Sequence, residues 1–373
     1  MIRRCCLLIL IAAASCGSPS ARTHPGDIVQ AEAVPGAPPN ASATRIVYVS
    51  TAPDGAQIQV SALVVVPGSA PAAGERPVLA WLHPTTGVDH ACAPTAGPGP
   101  FAQIQGLAAF LAAGYTVVAT DYPGLGASGM HPYLVGASEA RAAIDSVRAV
   151  RHLPGADAGA RFAVWGHSQG GHAALFTAAL APSYAPELQL VGAAAAAPVT
   201  DAAALIEQPG RDPLWAALLS YTVWSWSHLY GLDPNAIIPP GAEATIARTA
   251  RDCLESAAEL RQLLADSAPL TGQTVTPDQS WRAMLASNDP PAGGSQVPVF
   301  LAQGDQDPVI IPSLTRAFAR RLCGAGVPVR YLAMPGVDHY TAAVRSASAA
   351  AAWIADRFAG AAPPDDCAAA FAE

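Results

Sequence analysis

Four short apolar runs recur along the chain with helix-like stretches between them, and this alternation constrains the fold more than any other feature. The runs are "RPVLAWLH", "YTVVATDYPG", "RFAVWGH" and "LQLVGAAAAAP". Such continuous apolar character suits strands buried on both faces of a parallel sheet. Parallel neighbours need crossover connections, and helices commonly supply them. "FAQIQGLAAFLAAG" has helical spacing and a Gly stop, "GASEARAAIDSVRAVRHL" reads as an amphipathic helix, and "GGHAALFTAALA" as another. Before them, "TRIVYVST" and "AQIQVSALVVVP" flank the turn signal "APDG" and read as two antiparallel strands. The pattern breaks after Pro198: residues 200–290 read mostly as helix, with the aromatic stretch "LWAALLSYTVWSWSHLYG". It resumes in the strand "VPVFLAQGDQDP", the helix "SLTRAFARRLCGAG", the strand "VPVRYLAMPG" and the helix "TAAVRSASAAAAWIADRFAG". The expectation is an α/β fold with a mostly parallel central sheet and helices on both faces. Its core comprises 43–199 and 291–373, and 200–290 is a helical lid or cap insert.

The N-terminus reads as an export signal over residues 1–16, with the basic "MIRR" ahead of the short apolar "CCLLILIAAA". "AASC" resembles a bacterial lipobox ending at Cys16, whose lipidation would tether the chain to a membrane; secretion without a lipid is the alternative. Residues 17–42, rich in Pro, Ala, Gly and Ser, read as a flexible tether. The net charge is −8, and Arg3 and Arg4 form the one basic cluster, so no nucleic-acid partner is expected. Beyond the signal stand Cys92, Cys253, Cys323 and Cys367. An even number in an exported chain predicts two disulfides, with three pairings open.

Gly166-His167-Ser168-Gln169-Gly170 fits G-x-S-x-G between a strand and a helix. In that context the serine sits on a tight turn, and glycines two residues to either side avoid a collision. A serine hydroxyl is a weak nucleophile and needs a histidine base oriented by a carboxylate. The chain order on such a fold is Ser, acid, His. "GDQDPVI" offers Asp307 as the acid, with Asp305 as the turn-capping alternative, and "GVDHYTAA" offers His339 as the base. His167 and His172 flank the serine, where an elbow points side chains away from it. "WLHPTTGVDHACAP" follows the third strand, where the second oxyanion donor belongs. Pro84 has no N–H, so the donors expected are the backbone N–H groups of Thr85, with Thr86 as the alternative, and Gln169 at the helix start.

The segments "HPTTG", "CAP", "TDYPGLGASGMHPYLVGASEARAAIDSVRA", "GHSQGGHAALF", "GDQDPVI" and "DHY" together resemble the secretory lipases of fungi and actinobacteria. That resemblance implies an α/β-hydrolase fold, carboxylester hydrolysis on lipid esters, and a helical lid between the sixth and seventh strands. It gives Ser168, Asp307 and His339 the triad roles, and it implies disulfides Cys92–Cys253 and Cys323–Cys367. Where that family often has His-Gly, this chain has His83-Pro84. The function expected is an exported serine ester hydrolase acting on lipid or other acyl esters. The alternatives are a peptidase or amidase on the same fold and a non-catalytic binding protein on a hydrolase scaffold. No metal or organic cofactor is expected, and the oligomeric state stays open. Trp215, Trp224 and Trp226 of the insert are candidates for lining an acyl path.

Overall fold

The computed structural model describes residues 23–71, 74–207 and 214–368. Among these, nine strands form one sheet: β1 Ile28–Ala33, β2 Ala41–Thr51, β3 Gln57–Pro67, β4 Arg76–Leu82, β5 Thr116–Thr120, β6 Ala158–His167, β7 Gln189–Ala196, β8 Val299–Gly304 and β9 Val329–Met334. They lie side by side in the order β1-β2-β3-β5-β4-β6-β7-β8-β9. The pairs from β1 to β5 along this row are antiparallel, and those from β5 to β9 are parallel. Every residue of β5 and β8 is buried, as expected for strands covered on both faces.

The helices are α1 Leu107–Ala112, α2 Gly136–His152, α3 Gln169–Tyr184, α4 Ala202–Glu207, α5 Leu214–Tyr230, α6 Glu243–Thr249, α7 Ala257–Ser267, α8 Gln279–Ser287, α9 Pro312–Gly324 and α10 Ala342–Phe358. On one face α2 and α3 bury Ile144, Val147 and Ala174 against Val64, Val78 and Val164. On the other, α1 and α10 bury Phe110 and Trp353 against Trp81, Trp165 and Phe300. Burying each large side chain of this kind contributes about 1.5–3 kcal/mol. The two clusters grip the parallel strands from both sides and fix where their C-terminal ends stand.

Helices α4 to α8 fill the interval between β7 and β8. They have a core of their own, with Tyr221, Trp226, Leu263, Trp281 and Leu285 buried. A disulfide and a main-chain hydrogen bond join this insert to the loop after β4. Cys92 is bonded to Cys253, and the Leu254 N–H donates to the Thr86 carbonyl at 2.8 Å. Cys323 of α9 is bonded to Cys367 near the end of the described chain. No helix among the described residues is long and apolar enough to cross a membrane.

The chain departs from the sequence reading in the tether, in the strand count before the insert and in the helix read over 101–114. The leader at 1–16, with Cys16, lies outside the described residues, as does the start of the tether. The remainder of the tether, read over 17–42, is not all unstructured: Ile28–Ala33 is a strand paired antiparallel with β2. Five of its six residues are exposed, so this edge strand carries no buried stripe that would give it a periodic signal. It also moves the count by one, which puts the insert between the seventh and eighth strands of the sheet. The helix read over 101–114 is limited to α1, and Gly106 precedes it with φ +84°.

The Cys92–Cys253 bond spans 161 residues and Cys323–Cys367 spans 44. Closing the longer loop removes more freedom from the unfolded chain. Replacing both Cys92 and Cys253 by Ala is therefore expected to lower stability by about 2–5 kcal/mol, more than the same change at Cys323 and Cys367. Urea unfolding of the two variants checks this; an equal or smaller loss at Cys92–Cys253 would contradict the loop argument.

Candidate active site

Strand β6 runs into α3 through Ser168, whose backbone sits at φ +55° and ψ −115°. A residue with a Cβ adopts that conformation at a cost, and functional turns are where such cost is tolerated. The turn is clamped on both sides. The Ser168 N–H donates to the Ala196 carbonyl at 2.9 Å, and its own carbonyl accepts from His172 N–H at 2.9 Å. A Cβ on Gly166 would strike the Gly170 carbonyl, which matches the collision argued from the sequence. A Cβ on Gly170 would strike the Leu82 carbonyl, so that glycine answers to strand β4 as well.

His339 stands in the turn between β9 and α10, with Nε2 3.0 Å from Ser168 Oγ. Its Nδ1 is 2.9 Å from Asp307 Oδ2. The Asp307 carboxyl already takes N–H donors from Val309, Ile310 and Gln303 at 2.8–3.1 Å. It is fully committed as an acceptor, which assigns the ring proton to His339 Nδ1 and leaves Nε2 to accept from the serine hydroxyl. Gln303 is held in turn by Thr315 Oγ1 at 2.7 Å. Asp305 is placed elsewhere: its Oδ1 accepts from Gly336 N–H at 2.7 Å, so it clamps the turns after β8 and β9 to each other rather than capping its own.

Thr85 lies beside Ser168 on the lining of one cavity, and Thr86 does not line it. Thr85 Oγ1 is 2.9 Å from the Tyr133 hydroxyl. Gln169 opens α3, so its N–H belongs to the first turn, where intrahelical partners are lacking. Its side chain is anchored behind the elbow. Gln169 Nε2 donates to Glu139 Oε1 at 2.8 Å and to His131 Nε2 at 3.0 Å. His131 Nδ1 faces the Pro123 carbonyl at 2.9 Å and must be its protonated nitrogen, leaving Nε2 as acceptor. Burial pushes this ring down to about 3, consistent with a neutral imidazole. The other Glu139 oxygen holds His172 Nδ1 at 3.0 Å. The insert grips the same stretch: Ser225 Oγ donates to the His131 carbonyl at 2.7 Å, and Trp226 Nε1 to the Tyr133 carbonyl at 2.8 Å.

His167 does not point away from the site. Its ring lies 4.9 Å from that of His339, and its Nε2 donates to the His339 carbonyl at 3.0 Å. Burial, with the neighbouring His339, pushes it down to about 3. It is a neutral ring that buttresses His339, and its flanking position in G-x-S-x-G was the available signal. Glu139, Gln303 and Tyr133 carried none, because each acts through a contact between distant elements.

The cavity over Ser168 has a volume of about 470 Å³, within the range of small-molecule sites. Leu214 and Leu218 of α5, with Leu254 and Leu260, give it a hydrocarbon wall. The tryptophans expected there lie elsewhere. Trp215 lines a separate small cavity with Ile310 and Leu314, Trp226 is buried in the insert against Trp281, and the Trp224 ring lies tilted against that of His228. Residues 214 and 218 are one helical turn apart and share a face, whereas 215 and 226 face the core of the insert.

Comparison with known proteins follows the same lines. A family model described as secretory lipase matches residues 102–366. Lipase 9 of Candida albicans is 26% identical over 281 residues, 70% of this chain and 60% of that protein. Lipase A of Arthroderma benhamiae is 24% identical over 262 residues, 68% of this chain and 55% of that protein. The chain thus spans less than two thirds of the length of these curated relatives. Among solved structures, Candida antarctica lipase A matches with a TM-score of 0.76 at 20% identity, covering 92% of this chain and 84% of that one. The rice cell wall degrading esterase LipA from Xanthomonas oryzae matches with a TM-score of 0.71 at 20% identity, over 90% of this chain and 99% of that one. These two likenesses establish the α/β-hydrolase fold.

Proposed function

The chain belongs to the secretory lipase family, and from that membership we propose that it is a serine carboxylester hydrolase acting on lipid or other acyl esters. One observation carries the reading: Ser168 Oγ, His339 and Asp307 form a single hydrogen-bonded line at 3.0 Å and 2.9 Å, with the serine facing a cavity of about 470 Å³. Ser168 Oγ attacks the ester carbonyl carbon while His339 Nε2 takes its proton. The backbone N–H groups of Thr85 and Gln169 receive the oxyanion. Collapse of the tetrahedral intermediate returns the proton from His339 to the leaving alcohol and leaves an acyl-serine. Water, deprotonated by the same Nε2, then attacks the acyl-serine, and the protonated His339 returns its proton to Ser168 Oγ as the acid departs. Asp307 holds the imidazole throughout and stabilises its charged form.

The hydrocarbon wall suits an acyl chain. Each buried methylene is worth about 0.8 kcal/mol, roughly fourfold in kcat/KM, until the wall is covered. Turnover of p-nitrophenyl esters is therefore expected to rise from the acetate to the octanoate, with p-nitroanilides of the same acids left uncleaved. A fluorophosphonate is expected to label Ser168. Anilide turnover equal to that of the esters would make the protein an amidase, and failure to label would remove it from serine hydrolysis altogether. The proposal extends to location: residues 1–16 export the chain, and Cys16 is the point of lipid attachment to a bacterial envelope. Mass spectrometry of the mature N-terminus distinguishes a lipid-bearing Cys16 from a free one.

A further inference from the structure

Two apolar groups of residues line the Ser168 cavity from different parts of the chain. The leucine wall belongs to the insert. Tyr340, Ala343 and Val344 belong to the turn after β9 and the first turn of α10, the stretch that carries His339. Tyr340 is 51% exposed and Val344 58%. Among the described residues, the other exposed large apolar side chains are Val29 and Leu229, and neither lines the cavity. Single exposed apolar residues are ordinary on a protein surface, but a pair on the lining of one cavity marks contact with an apolar ligand.

The chemistry of the reaction decides which part of an ester meets this pair. His339 Nε2, 3.0 Å from Ser168 Oγ, has to hand its proton to the oxygen of the departing alcohol. That transfer needs hydrogen-bond reach, about 2.6–3.2 Å. The alkoxy oxygen therefore sits against the His339 ring, and the carbons attached to it start beside that ring. The Tyr340 ring stands near-perpendicular to the His339 ring, with centroids 6.0 Å apart, and Val344 follows four residues later. We propose that Tyr340 and Val344 are specificity-determining residues that select esters with a hydrocarbon alcohol part. This deepens the ester-hydrolase reading and rests on it.

The stretch puts no charged side chain on the lining, since Asp338 and Arg345 flank it without reaching the cavity. An alcohol that bears a charge gains nothing from Tyr340 and Val344, whereas each added methylene gains contact. Side chains exposed by about half cover such a methylene on one side only. The step is then roughly twofold per methylene, against fourfold for full burial.

The test uses three dissolved esters: ethyl butyrate, n-butyl butyrate and ethyl hexanoate. The last two are isomers, with two methylenes moved from the alcohol to the acyl side. Ethanol and n-butanol are leaving groups of nearly equal reactivity, so the butyl-to-ethyl ratio in kcat/KM reads contact with the alcohol part. Wild type is expected to favour n-butyl butyrate over ethyl butyrate by about fourfold. Tyr340→Ser and Val344→Ser each lower that ratio, and together they bring it to about one. The ratio of ethyl hexanoate to ethyl butyrate stays at its wild-type value in both. Tyr340→Phe keeps the butyl preference, because the ring carries it. Leu218→Ala does the opposite, lowering the hexanoate ratio and sparing the butyl ratio. Loss of folded enzyme slows all three esters alike and changes neither ratio. A butyl ratio that survives in the double variant therefore overturns the proposal, as does a wild-type ratio of one. A fall in the hexanoate ratio alone overturns it too, because the pair would then face the acyl chain. If the double variant keeps both ratios and loses only turnover of emulsified tributyrin, the pair serves a lipid surface and the proposal falls. Failure of wild type to cleave any of these esters sinks the hydrolase reading instead.

Discussion

Ser168→Ala is expected to lower kcat on p-nitrophenyl butyrate by about 10⁶-fold while leaving the melting temperature within a few degrees of wild type. The size follows from the role. Removing the nucleophile of a serine triad costs about as much as removing the whole triad, because the members act as one unit. The residual rate comes from the oxyanion donors and substrate binding. The fold is expected to survive because alanine keeps the Cβ. The cost of φ +55° at position 168 is paid already by serine, and the clamps to Ala196 and His172 are made by main-chain atoms. The variant thus separates chemistry from folding. Turnover near the wild-type rate in protein that melts normally would refute every role assigned here to Ser168, His339 and Asp307.

The sheet was legible because its strands are buried on both faces. "RFAVWGH" and "LQLVGAAAAAP" carry their environment in their composition, since a strand with no wet face has no room for polar alternation. The elbow was legible for a similar reason. Gly166 and Gly170 are each forced by a backbone atom that a Cβ would strike, and a requirement of that kind leaves its mark on the residue itself. The chain order Ser, acid, His then points to Asp307 and His339. Edge strand β1 was not legible, because exposed residues such as Gln30 and Glu32 face solvent and obey no pattern.

The walls and buttresses of the site were not legible either, and the cause is physical. Whether Trp215 or Leu214 faces the cavity depends on the rotation of α5 about its axis, and packing against the core of the insert decides that. A tryptophan-rich helix reads the same for both rotations. Glu139 sits in the first turn of α2, where an acidic residue is usually explained by the helix dipole and by solvent. Here it is fully buried and joins His172 to Gln169, because α3 crosses α2 at that level. Tyr133 and Thr85 are 48 residues apart and meet only when the loops after β4 and β5 are brought together. Contacts of this sort arise from topology, and no local pattern precedes them.

Asp307→Asn is expected to lower kcat by about 10⁴-fold, and Asp305→Asn by no more than about threefold. The two carboxyls are two residues apart in the same turn, so the contrast rests on what each one touches. At position 307 the asparagine oxygen can still receive the N–H groups of Val309 and Ile310. That orientation turns the amide nitrogen toward His339 Nδ1 and Gln303 Nε2, both of which are donors now. The imidazole relieves the conflict by moving its proton to Nε2, where it faces Ser168 and no longer accepts the serine proton. The fold tolerates the change and the chemistry does not, so kcat falls with little effect on KM. At position 305 the contact is to the Gly336 N–H, and an asparagine oxygen accepts from it as an aspartate oxygen does. Steady-state kinetics of the two variants on one p-nitrophenyl ester decide the matter. The reverse ranking would transfer the acid to Asp305, and the 2.9 Å contact of His339 with Asp307 would then have no part in the reaction.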